Sequence, residues 1–428
     1  MAAYPPRRET GPWFAVGAKL DGEEVYHRLR ADRATQDWLR PYCVYVHVPF
    51  CKSICRYCAL YTRAVPRDAG PALDEYVEMV TRVIGSHPWS GHPEPPTTVH
   101  FGGGTPLSLG IPRFSTLVEA VRRAFGSSPR CEWAIETTLS SLDNATIDSL
   151  ASLGFRRIHL GIQTLDDATR RRIGRCESSA TVIQRVHELT HRHFFPSADL
   201  IIGFDGVGRI VVESDLHRLY DAGIRMFSIC ELRERAESRL GVQREEDRGR
   251  NNRELWAAIW AFMGEVGLQQ IHLGQFGRSQ ADNWYYTHPA RHENCVAIGA
   301  YAHGSAGDAY YGNRLLPDYY MAVRSGTAPV AHGVVYGDAE RPIRELERCL
   351  FANRVPVAAV TNIADAYPDE FPPILDSWIA GGLLIESADR QAFELSRDGS
   401  WFVGNMVEDA RAIHRALRGV RQEVACTE

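Results

Sequence analysis

The chain has 428 residues, a formal net charge of −5, 44% hydrophobic and 24% charged residues. That is ordinary globular composition, and without a basic excess or a run of like charge it argues against nucleic-acid or anionic-membrane partners. The opening MAAYPPRRETGPWF lacks an apolar core of signal-peptide length, and no apolar stretch approaches the roughly 18 to 20 residues that span a bilayer. A cytoplasmic protein, monomeric by default, is expected.

In chain order, residues 1–42 read as an N-terminal segment. From about Val44 to Gly274, short apolar runs alternate with helical periodicity. VYVHV, TTVHF, EWAIE, RIHLGI, SADLII, MFSICEL and QQIHL predict strands, and DEYVEMVTRVI, RFSTLVEAVRRAF, TIDSLASL, ATVIQRVHELTH and SDLHRLYDAG predict helices. Such alternation requires crossover connections. It predicts an α/β fold over 43–275, a parallel sheet closed or half closed like a (β/α) barrel, with its chemistry at the C-terminal ends of the strands. Residues 334–428 lose the alternation. A helical stretch near Ile343–Ala352 and the apolar LDSWIAGGLLIES predict a small, mostly helical or winged-helix-like C-terminal domain.

Of ten cysteines, Cys51, Cys55 and Cys58 crowd into the loop of VHVPFCKSICRYCALYT while the other seven are scattered. That distribution fits a reducing compartment and a metal site better than a disulfide framework. Three thiolates spaced CxxxCxxC can ligate three irons of a 4Fe-4S cubane and leave the fourth without a protein ligand, open to the amino and carboxylate groups of S-adenosylmethionine (SAM). A structural zinc site ordinarily wants a fourth Cys or His, and inert buried thiols have no reason to share this spacing. Tyr57, just before the third cysteine, packs over the cluster or meets the adenine of SAM.

HFGGGTP follows the second predicted strand, where consecutive glycines let the main chain approach a charged ligand; a plain turn is the alternative. Glu136, Gln163 and Asp199 stand at or near strand ends. SAM offers an ammonium and ribose hydroxyls to carboxylates and a carboxylate suited to Arg175. Singly, each is equally a helix cap or a solvated strand end.

On YVHVPFCKSICRYC, HFGGGTP, Glu136, GIQTL, Arg175 and SADLIIG, roughly residues 40 to 400 resemble the oxygen-independent coproporphyrinogen III oxidase family. The resemblance implies a partial (β/α)6-type radical SAM barrel, with Tyr45, Gly103, Gly104, Thr105, Glu136, Gln163, Arg175 and Asp199 around SAM and a second SAM beside the first. Two departures stand out. Ala59 and Leu60 replace the Gly-Cys that follows the third cysteine in the family's oxidases, and NWYYTHPARHENCVAIGAYAHGSAGDAYYGN replaces a later Gln-Gly segment.

That segment, within 276–333, looks like the class C radical SAM methyltransferases. It implies a region for substrate and a second SAM, and methylation of an sp2 carbon in a heteroaromatic natural-product intermediate, for example a thiazole in a thiopeptide precursor. The electron donor implied is a flavodoxin or ferredoxin. On this reading Tyr285, Tyr286 and His288 are the catalytic candidates for taking the substrate proton, and Gly299, His303 and Asp308 lie by the second SAM; core packing or loop structure is the alternative for each. Two other readings stay open: a cyclopropane synthase, in which the same adduct closes a ring, and a haem-binding or porphyrinogen-acting relative of the oxidases.

Overall fold

The computed structural model describes residues 7, 17–31, 38, 40–58, 60–65, 69–232, 240 and 245–425. Ala59, and the opening fourteen residues apart from Arg7, lie outside the described residues. The chain divides into two compact units, one of Leu20–Gln269 with Gly274–Gly333, the other of Met1–Lys19, Gln270–Leu273 and Val334–Glu428. Among the described residues no helix is long and apolar enough to cross a membrane.

All seven sequence-predicted strands form: β1 Tyr42–Val48, β2 Thr98–Gly103, β3 Glu132–Thr137, β4 Arg157–Gln163, β5 Phe195–Ile202, β6 Phe227–Glu231 and β7 Gln269–His272. Strands β1 to β6 pair in sequence order and in parallel. The crossovers carry α1 Gly70–Ser86, α2 Ile111–Phe125, α3 Asn144–Ser152, α4 Asp167–Ile173, α5 Ser179–His191 and α6 Arg209–Asp221. Helix α2 shows why they form. Phe114, Leu117, Val118, Val121 and Phe125 recur at three- and four-residue spacing and are all buried, and Gly126 ends the helix at a φ of 75°. Side chains of Asp143, Asp166 and Ser178 cap α3, α4 and α5 by accepting from the backbone amides of Thr146, Thr169 and Thr181.

The parallel repeat stops at β6. Strand β8, Gln275–Gly277, runs antiparallel to β6 and separates it from β7. Only Leu273 and Gly274 join β7 to β8, and a link that short can return the chain but cannot carry it over to a parallel position. The return is tight: a Cβ on Gly274 would lie 2.2 Å from the Ile229 carbonyl oxygen.

At the opposite edge β9, Asn294–Ile298, pairs with β1 in parallel, from Asn294 against Tyr42 to Ile298 against Val46. It continues as an antiparallel meander through β10, His303–Ala306, and β11, Ala309–Asn313. The sheet thus runs β11-β10-β9-β1-β2-β3-β4-β5-β6-β8-β7, with Val330–Val335 and Ala18–Asp21 beyond β11. The result is a mixed α/β fold with a partial barrel.

In the smaller unit the helices Arg341–Phe351, Val357–Ala366, Phe371–Ala380 and Val403–Ala425 accompany a three-stranded antiparallel sheet of Arg354–Pro356, Ala392–Leu395 and Leu384–Glu386. Its core is apolar, with Leu346, Leu350, Ile363, Phe371, Trp378, Met406 and Val407 buried together. A helical region with a small wing is what the sequence predicts here.

Candidate cofactor site at the strand ends

Side chains two residues apart on a strand share a face. On the inward face this brings together Tyr45 and His47 of β1, His100 of β2, Glu136 of β3, His159 of β4, and Ser197 and Asp199 of β5. Tyr45 Oη lies 3.0 Å from His47 Nδ1, His100 Nε2 lies 2.9 Å from Glu136 Oε1, and Ser197 Oγ lies 2.6 Å from His159 Nδ1. The interior of this half-barrel is therefore polar and aromatic where an ordinary barrel packs branched aliphatics. Burial holds His47 down at about 4 and His159 well below its ordinary value, so both imidazoles are neutral at physiological pH.

The cysteine loop leaves the C-terminal end of β1. Its ends are pinned by the short parallel pairing of Phe50–Cys51 with Arg63–Ala64, by the Val65 amide donating to the Cys51 carbonyl, and by the Arg56 amide donating to the Ile173 carbonyl. Cys51, Cys55 and Cys58 are free thiols, each partly exposed. Cys51 Sγ sits 3.5 Å from Thr105 Oγ1 of the glycine loop. Three unbonded thiols on one fixed loop fit a cluster that needs three protein ligands.

In the glycine run the conformation is set by close approach. A Cβ on Gly102 would lie 2.8 Å from the Glu136 carboxyl, one on Gly103, whose φ is 106°, 2.8 Å from the His47 ring, and one on Gly104 2.6 Å from the Phe50 carbonyl. The amides of Gly103, Gly104 and Thr105 donate within the protein, to Glu136 Oε2, the Val48 carbonyl and the Phe50 carbonyl. With its amides used within the protein, what this run has left to offer a ligand is carbonyl oxygens, which suit an ammonium group.

Gln163 and Arg175 cross over Gly161, whose Cβ would lie 3.0 Å from Gln163 Nε2 and 3.1 Å from Arg175 Nη2. Gln163 follows a bulge in the β4–β5 ladder and holds a φ of 70°, an unusual value for a non-glycine residue of the kind stored at functional sites. Arg175 Nη2 donates to Tyr57 Oη at 2.8 Å, tying α4's exit to the cysteine loop, while its Nε is buried without a partner. Burial works against the charge on Arg175, yet Tyr57 and Cys55 raise its pKa above the ordinary value. A charged, incompletely bonded guanidinium suits a carboxylate ligand.

The two carboxyls differ. Burial would raise Glu136, but hydrogen bonds from His100, Tyr286 and the Gly103 amide outweigh it and leave the pKa below the ordinary value. Asp199, raised by burial and then by the charge of Glu136, stands at about 8. Glu136 is a fixed anion; Asp199 can take up or release a proton near neutral pH.

Of the three residues expected to take a substrate proton, Tyr286 reaches this site, its hydroxyl donating to Glu136 Oε1 at 2.9 Å. Tyr285 is clamped between Tyr45 and His100, with ring centroids 5.1 Å and 4.1 Å away and nearly parallel. Burial raises the pKa of both phenols, which keeps them protonated. His288 is buried, 2.5 Å from the Tyr285 carbonyl. Gly299 has a packing reason, since a Cβ there would fall 2.5 Å from the His47 carbonyl oxygen. His303, on β10, is lowered to about 4 by burial and by His332; its ring lies 5.1 Å from Tyr301, which in turn is 4.9 Å from Tyr61 and 6.1 Å from His47. The histidines His47, His100 and His159 and the pair Tyr61 and Tyr301 were not singled out from the sequence. The signal was there for the histidines, in the alternation of VYVHV, TVHFGG and RIHLGIQ.

Residues 45–219 match the family profile of the Radical SAM superfamily. Along its length the chain is similar to anaerobilin synthase of Escherichia coli O157:H7, with 25% identity over 95% of this chain and 96% of that one. It is also similar to the heme chaperone HemW of Bacillus subtilis, with 24% identity over 61% of this chain and 70% of the relative. Among solved structures, coproporphyrinogen III oxidase of Escherichia coli superposes with a TM-score of 0.77 at 18% identity, covering 91% of this chain and 93% of that one. That likeness establishes the shared fold.

Proposed function

We propose that the chain is a radical SAM enzyme acting on a haem or a porphyrinogen. The observation that carries this reading is the similarity to anaerobilin synthase over nearly the full length of both chains. A shared radical-generating domain alone speaks only to the common first step, whereas substrate choice resides in the loops and additional regions that this match also spans. The heme chaperone and coproporphyrinogen oxidase relatives point to the same class of molecule. Methyl transfer to a thiazole or indole, with a second SAM, has no comparable support among the relatives.

When bound, the cluster and SAM supply one-electron reductive cleavage of a carbon–sulfur bond and, with it, radical hydrogen abstraction. The chain's own part is to hold and orient. Cys51, Cys55 and Cys58 would hold three irons. Arg175 would meet the SAM carboxylate, the ionised Glu136 and the carbonyls of Gly103 and Gly104 would meet its ammonium, and Gln163 and Asp199 would complete the same set of residues.

The test is to reconstitute the protein anaerobically, add a reductant and SAM, and offer haem, coproporphyrinogen III or a thiazole-containing peptide in turn. The expected result is a change in the Soret or porphyrin absorption in step with 5′-deoxyadenosine release, and one SAM bound per chain by equilibrium dialysis. Release coupled only to the thiazole peptide, with S-adenosylhomocysteine in equal amount and two SAM bound, overturns the reading.

A further inference from the structure

At the other end of β1 from the cysteine loop lies a second group of metal-binding side chains. Cys43 is the second residue of β1, Cys295 the second residue of β9, and the two are directly paired in the parallel ladder. His288 follows the short helix Trp284–Thr287. The two sulfurs and an imidazole nitrogen of His288 all lie within 4.8 Å of one another, and all three residues are buried. Neither cysteine is in a disulfide.

The orientation of His288 is a second observation. Its Nδ1 lies 2.5 Å from the Tyr285 carbonyl oxygen. A carbonyl can only accept, so Nδ1 carries the hydrogen and Nε2 is the nitrogen with the lone pair. Metal-binding histidines are commonly fixed in this way, one ring nitrogen donating to a carbonyl while the other ligates.

We propose that Cys43, Cys295 and His288 bind a zinc ion that ties the segment Trp284–Arg291 to strands β1 and β9. Two thiolates and one imidazole are a ligand set that zinc uses, with its fourth position left for water or another donor. A divalent ion with two thiolates is neutral overall, which suits a buried site, and both thiols give up their protons to solvent as the ion enters. The neighbouring charges compensate each other, since Arg291 pairs with Glu293 at 2.8 Å. The ion's role is to hold the segment that carries Tyr285 and Tyr286, and so to keep Tyr285 stacked on Tyr45 and Tyr286 against Glu136.

The full-length chain carrying Cys51→Ala, Cys55→Ala and Cys58→Ala lacks the iron-sulfur absorption that would mask the signal. Titrated anaerobically with cobalt(II) as the spectroscopic probe, it should bind one equivalent, with thiolate-to-cobalt charge-transfer bands that zinc bleaches. X-ray absorption at the zinc edge should then show two sulfur neighbours. In the same background Cys43→Ser with Cys295→Ser should abolish the bands, and His288→Gln should weaken binding at least tenfold while circular dichroism reports a folded chain. Folded triple-alanine protein without those bands, or bands that survive the Cys43→Ser and Cys295→Ser changes, overturns the proposal.

Discussion

The inward face of β1–β5 and the interior of the Val334–Glu428 region are both buried, yet the first is chiefly polar and aromatic and the second chiefly apolar. The C-terminal interior is mainly Leu, Ile, Phe, Trp, Met and Val, with Trp378 at 1% exposure and its indole nitrogen donating to Asp409, and its buried charges are paired, Arg411 Nε donating to Glu347 Oε1 at 2.6 Å. The half-barrel interior holds Tyr45, His47, His100, Glu136, His159 and Asp199. Burying such groups costs stability unless each finds a partner, and here His47 Nε2, His100 Nδ1, His159 Nε2 and Arg175 Nε are buried without one. The C-terminal region has unpaired buried atoms too, Asn353 Oδ1 and Ser400 Oγ, but they are scattered, whereas those of the half-barrel share one inward face.

The contrast can be broken most sharply at the cysteines. Changing Cys51, Cys55 and Cys58 to Ala should abolish iron loading and SAM cleavage, because no neighbouring side chain can complete the cubane. Iron and sulfide analysis, with assay of 5′-deoxyadenosine, checks this, and cleavage surviving in that variant would sink the cluster assignment. Trp378→Ala should do the reverse, costing about 3–5 kcal/mol of stability in chemical denaturation while leaving SAM cleavage by the folded protein intact. A loss of cleavage below the unfolding transition would show the two interiors to be less separate in role than their composition.

The smallest effect concerns Asp199. Burial, then Glu136, sets its carboxyl at about 8 in the folded chain, against roughly 4 when unfolded. The folded state therefore holds this proton more tightly, and the stability so gained is full below about pH 4 and lost as the pH rises to about 8. Asp199→Asn is neutral throughout. Its melting temperature should gain on that of the parent chain from about pH 5 to about pH 8, by an amount on the order of 2–4 °C. A difference that stays constant over that range would mean an Asp199 that is already ionised.

What was legible in the sequence follows from how local each signal is. CxxxCxxC, GGGTP and the strand-end residues are short patterns whose spacing is their geometry, and the structure places Arg175 against Tyr57 and, with Gln163, over Gly161. The inward histidines escaped because VYVHV and RIHLGI read as apolar runs, although every second residue of each faces inward. Helix α4 escaped for another reason. DATRRRI has almost no apolar period, and its buried Arg170 is held by the carbonyls of Ile162, Thr164 and Glu177. The antiparallel return of β8 depends on a two-residue link whose importance only the sheet reveals. Tyr285 and His288 were found by the segment they occupy, but stacking and burial give them a place in the packing that no linear pattern expresses.

The parallel seat of β9 against β1 carries a consequence for closure of the barrel. A strand has two edges, and those of β1 are taken by β2 on one side and β9 on the other. No hydrogen-bonding edge remains on β1 for β6 to join, so the ring cannot be completed however the loops move. The run β1–β6 is thus fixed as an open half-barrel by strand pairing itself.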